Sequence, residues 1–129
     1  LAAAAGRAVR GGGPGGARRA EVCLGVLANV CTHREVASTF EATDAEDAAG
    51  AALDGLSVAE GPVVVQALRL ASALLAGPAA CCCPGLWSDG AVGRYLYVLE
   101  NSLLWDAVQQ ACDVLSQVLV LEAAAAGPP

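Results

Sequence analysis

The side chains best suited to chemistry in this chain are six thiols, one imidazole, and a few arginines and aromatic rings. Cys81, Cys82 and Cys83 are adjacent, in a segment that also holds Gly77, Pro78, Pro84 and Gly85. Three neighbouring thiols suit a soft metal, reversible palmitoylation or redox sensing. Zinc asks for another pattern, with two cysteines two residues apart and a second ligand pair elsewhere. The chain has no Cys-x-x-Cys and a single histidine, so no metal ligand and no cofactor is expected. Plain surface or half-buried thiols are the first reading, and among functional ones palmitoylation fits the cluster best, because Leu74, Leu75, Leu86 and Trp87 flank it.

His33 follows Cys31 by two residues. A thiol nucleophile needs its base within about 3 Å and a third group to orient that base. Cys31 falls on the apolar face of one helix and His33 at the start of the next, so no such pair is expected. Glu46 and Asp47 sit with Asp44 near a helix start, where the helix dipole favours acids. They read as helix chemistry and not as an acid–base dyad. The glycines from Gly11 to Gly16 lack the Lys-Ser/Thr and the preceding strand of a phosphate loop. No catalytic residue is expected, and the chain reads as a non-enzyme.

Recognition is better supplied. Asn29 is polar on an otherwise apolar helix, and Arg69 lies on the most apolar helix of all. An amide or guanidinium in such a place needs a partner or an exit to solvent. Trp87, Arg94, Tyr95, Tyr97 and Trp105 form the one aromatic and basic group along the chain. Tyrosine, tryptophan and arginine are enriched where proteins bind one another. Asn29, Arg69, Trp87 and Arg94 are therefore the expected contacts with a protein partner.

These residues must be carried by helices. Cys23, Val26, Leu27, Val30 and Cys31 recur at helical spacing and predict a helix over 20–32. Thr32 and Glu35 form a capping-box pattern that predicts a second over 33–41, burying Val36, Ala37 and Phe40. Thr43 or Asp44 starts a third, to about residue 56. Gly61-Pro62 starts a fourth, over 62–76, the most apolar, and Gly77-Pro78 ends it. Ser88 or Asp89 caps a fifth, to about residue 100, with Val92, Tyr95, Leu96 and Leu99 inward. A sixth spans 103–121, with Leu104, Val108, Ala111, Cys112, Leu115, Val118 and Leu119 on one face. No alternating segment with hairpin turns is present, so no strand is expected. Short loops between six helices imply an all-α fold of stacked helical repeats, with a closed bundle as the competing architecture.

Composition agrees. The 129 residues are 56% hydrophobic and 16% charged, against usual values of about 45–50% and 25%. Twenty-nine are alanine, and lysine, isoleucine and methionine are absent. Residues 1–19 carry four arginines and no acid, while the remainder carries three arginines against thirteen acids. A net charge of −6 and an arm without an aromatic ring argue against nucleic acid as a partner. Residues 1–16 read as a flexible glycine/alanine-rich linker, 17–122 as the repeat domain and 123–129 as a disordered tail. The longest uncharged stretch, 70–88, is broken by glycine and proline and is too short to span a membrane. Cysteines on apolar helix faces imply a reducing, intracellular setting, cytoplasmic and/or nuclear.

Three blocks carry a family resemblance. Glu21-Val22-Cys23-Leu24-Gly25-Val26-Leu27-Ala28-Asn29-Val30-Cys31 resembles the signature helix of the serum amyloid A-like 1 family. The helix over 62–75, with Arg69-Leu70 inside it, is similar to that family's second long helix. Trp87 and the run Arg94-Tyr95-Leu96-Tyr97-Val98-Leu99-Glu100-Asn101 resemble its third block. Gln66 stands where the pattern has glutamate, and the stretches 42–60 and 77–86 depart from it. The resemblance implies an armadillo/HEAT-like solenoid serving as an interaction scaffold linked to cell proliferation. It implies a groove in which Asn29 bonds a partner's backbone.

Overall fold

Helices lined with alanine approach one another closely, and the computed structural model, which describes residues 2–11, 15–77 and 83–126, is packed in this way. Fourteen of the thirty buried core residues are alanine. The helices are α1 (Ala2–Gly11), α2 (Gly16–Thr32), α3 (Arg34–Ala37), α4 (Ala42–Gly55), α5 (Gly61–Ala76), α6 (Asp89–Asn101) and α7 (Trp105–Ala126). A 3-10 turn, Pro84–Trp87, precedes α6. The described residues contain no strand.

The six longer helices pair in chain order into three hairpins, α1–α2, α4–α5 and α6–α7. In one layer α5 lies between α2 and α7 and packs on both. In the other, α1 packs on α4, and α6 reaches α4 through the 3-10 turn and through Arg94, whose Nη1 donates to the Leu53 carbonyl at 2.7 Å. This is a two-layer helical stack, the arrangement of a helical-repeat solenoid.

The central helix, α5, is buried along most of its length by Val63, Val64, Ala67, Leu68, Leu70, Ala71, Leu74 and Leu75. Pro62 sits in its first turn, where a missing N–H is harmless. Its contact with α4 and α2 is tight at Gly55. A Cβ there would lie 2.8 Å from the Ala67 Cβ and 3.1 Å from the Leu24 Cδ1. The last helix of the other layer, α6, starts at Ser88, whose hydroxyl accepts from the Ala91 N–H at 3.4 Å.

Three expectations are corrected. Residues 2–11 are not a linker but the helix α1, with Ala5 fully buried and Arg10 bonded to Asp54 of α4 at 3.1 Å. Alanine has the highest helix propensity, and Gly15, just before α2, adopts φ 72°. The helix expected over 33–41 shrinks to the single turn α3. Thr32 is no cap, because its hydroxyl donates back to the Ala28 carbonyl at 2.8 Å. The cap acts further on, where the Asp44 carboxylate accepts from the Glu41 N–H at 3.1 Å and starts α4. The last helix runs through 123–126, which were expected to be disordered, and residues 127–129 lie outside the described residues.

The buried face of α7 also differs from expectation. Ala107, Ala111, Val114 and Val118 are inside, while Leu104, Cys112 and Leu119 are exposed. On α6, Ala91, Tyr95 and Val98 are buried and Leu96 is exposed.

Candidate partner-binding face

The outer surface of the α2–α5–α7 layer carries a ladder of polar side chains. Arg69 on α5 donates from Nη2 to Asn29 Oδ1 on α2 at 2.7 Å. Its Nη1 donates to Gln66 Oε1, one turn earlier on α5. Gly25, one turn before Asn29, leaves room for that amide: a Cβ there would come within 3.1 Å of Gln66 Oε1. Two of the four expected contact residues, 40 positions apart in sequence, thus meet directly. Both acceptors are neutral amides, and Arg69 forms no ion pair among the described residues. Its positive charge therefore stands uncompensated on the face.

The ladder continues across α5 to α7. Ser72 donates from Oγ to Gln117 Oε1 at 2.8 Å, and Gln117 Nε2 donates to the Ser72 carbonyl at 3.1 Å. Beyond Gln66, a hollow of about 380 Å³ is lined by Glu21, Pro62, Val65, Gln66, Leu104, Trp105 and Asp106. The Trp105 ring is 75% exposed at its edge. A second hollow, of about 310 Å³, is lined by Leu75, Ala76, Ser116, Gln117 and Val120. The layer thus presents amides and one guanidinium in its middle, with a recess carrying Glu21 and Asp106 on one side and a mostly apolar recess on the other. That arrangement suits a backbone held by hydrogen bonds, with side chains seated in recesses.

Trp87 and Arg94 lie elsewhere. Trp87 belongs to the 3-10 turn and packs half-buried against the core, with its Nε1 enclosed and unbonded among the described residues. Arg94 borders a cleft of about 700 Å³ between the α4–α5 turn and α6, together with Leu56, Ser57, Gly93, Tyr97 and Asn101. The expected aromatic and basic group therefore does not assemble. Tyr95 is wholly buried and its hydroxyl donates to the Leu86 carbonyl at 2.6 Å. Burial pushes its phenol well above the usual tyrosine range, against a smaller opposing pull from Arg94. Trp105 lies in the hollow beside Gln66. Sequence reasoning left out Gln66 and Gln117. The available signal for Gln66 is its position one turn before Arg69 on the same helix.

The four described cysteines, Cys23, Cys31, Cys83 and Cys112, form no cluster of metal ligands. Cys83 is buried, with its thiol directed at the Ala45 carbonyl at 3.4 Å, while Cys81 and Cys82 lie outside the described residues. Burial raises the Cys31 thiol above its usual value, which disfavours the thiolate. His33 is exposed at the end of α2 while Cys31 faces the core. No group of three potential metal ligands occurs among the described residues. Arg10 and Arg18 are bonded to Asp54 and Glu21. No helix among the described residues is long and apolar enough to cross a membrane.

The chain matches no protein-family model, and neither curated proteins nor solved structures yield a match.

Proposed function

We propose that this chain is a non-catalytic helical-repeat module that binds a protein partner, with an extended segment or helix of the partner laid along the α2–α5–α7 face. One observation carries the reading: Asn29, Gln66 and Arg69 meet on the open surface of that layer, with a positive charge that forms no ion pair among the described residues and recesses beside them. The resemblance of the 21–31 block to the serum amyloid A-like 1 family supports the same reading, a scaffold linked to cell proliferation. Cys23, Cys31 and Cys112, placed on helices with no disulfide partner among the described residues, support an intracellular site of action, in the cytoplasm and/or nucleus.

Affinity capture from native cells with the wild type, Asn29→Ala/Arg69→Ala and Arg94→Ala tests the assignment. The double variant is expected to weaken capture of specific partners by about thirtyfold or more, the loss that marks an interface hot spot. Arg94→Ala is expected to change it less. Equal recovery by the wild type and the double variant, with unchanged circular dichroism, would remove the ladder from the interface.

A further inference from the structure

We infer that the helical stack joins end to end with a second copy of itself, the α2 end of one copy packing on the α6–α7 end of the next. Because α5 lies between α2 and α7, the sides of α2 and α7 turned away from it are the two ends of the layer. Among the described residues both ends carry exposed aliphatic side chains. On α2, Val22 and Val26 stand one turn apart and are 47% and 45% exposed. On the last hairpin, Leu96 and Leu119 are 42% and 66% exposed, and Leu103 at the turn is wholly exposed. Aliphatic ridges one turn apart are what helices interlock when they pack.

Charge selects the occupant. The first hairpin carries four arginines against Glu21, a net +3. Residues 84–126 carry Arg94 against five acids, Asp89, Glu100, Asp106, Asp113 and Glu122, a net −4. Joining two α2 ends, or two α7 ends, would place like charges together. Joining an α2 end to an α7 end pairs opposite charges and continues the α2–α5–α7 order of the layer into the next copy. Such a joint is heterologous and open, so it grows with concentration and does not close at a dimer. It uses the ends of the stack and stands apart from the Asn29–Arg69 ladder.

Sedimentation equilibrium tests it with two variants altered only at exposed positions, Val22→Glu/Val26→Glu and Leu96→Glu/Leu119→Glu. The wild type is expected to gain average mass with concentration and to lose it as added salt screens the two ends. Each variant alone is expected to be a monomer, because one end is broken. An equimolar mixture is expected to form a one-to-one pair and stop there, because one intact end of each kind remains. A wild type that stays monomeric throughout the micromolar range would overturn the proposal and assign the ends to helices of another protein. Self-association of either variant alone would overturn it in favour of a joint between like ends. A mixture that stays monomeric would overturn it as well.

Discussion

The helix α4, held between α1 and α5, buries a surface with almost no relief: Ala45, Ala48, Ala49, Ala51, Ala52 and Gly55. The helix α7, packed on α5 and α6, buries Ala107, Ala111, Val114 and Val118, and its join to α5 is completed by the Ser72–Gln117 hydrogen bonds. Leu119 stays outside, while Leu115 and Leu121 are half-buried against the core. The difference shows that α4 is placed by close backbone approach, as at Gly55, whereas the α7 join adds valine side chains and a polar pair.

The same truncation on the two sides gives the widest contrast. Leu68→Ala removes a fully buried side chain at the centre of α5 and is expected to cost about 2–5 kcal/mol. Leu119→Ala on the outer side of α7 is expected to stay within about 0.5 kcal/mol. Urea titration of both variants measures the gap, and equal losses would place Leu119 inside. Next comes Gly55→Ala, which forces a methyl group against Ala67 and Leu24. It should destabilise by about 1–3 kcal/mol, although alanine favours helix. A neutral result would show that the α4–α5 approach can relax.

A smaller effect is expected in the α6 hairpin. Tyr95→Phe leaves the Leu86 carbonyl without its donor, at about 1–2 kcal/mol. The buried phenol holds its proton above the pH at which a free tyrosine, at about 10, gives it up. The unfolded chain then binds fewer protons than the folded one, so stability falls as pH rises beyond about 10. Cys31 contributes a loss of the same sign from the usual thiol range upward. Urea midpoints followed into alkali should fall less steeply in Tyr95→Phe than in the wild type. Smallest is Arg10→Ala, which breaks an exposed ion pair between α1 and α4 and should cost no more than about 0.5 kcal/mol.

The helices with strong end signals were legible in the sequence. Pro62 and Gly77 bracket α5, and Ser88 starts α6. The inward face of α7 was not, because its apolar residues cover more than half the helix and periodicity cannot choose between adjacent stripes. The helix α1 was hidden because alanine and glycine were weighed together as low complexity, although they have opposite helix propensities. In the candidate face, Asn29 and Arg69 stood out singly as polar residues on apolar helices. Their meeting was not legible, since a hydrogen bond across 40 residues depends on how α2 and α5 are set side by side. Trp87 and Arg94 share their block with Tyr95, but their own neighbours are the core and the Leu53 carbonyl.

The alanine-lined interior has a calorimetric consequence. Alanine has no side-chain torsion to freeze on folding, and it exposes little hydrocarbon when the chain opens. The heat capacity of unfolding follows newly wetted apolar area, so it should fall below the roughly 12–15 cal/mol/K per residue usual for globular domains. A smaller heat capacity flattens the curve of stability against temperature. Helices joined through methyl groups should thus hold with similar strength over a broad thermal range, where a leucine-rich stack would show a sharper optimum.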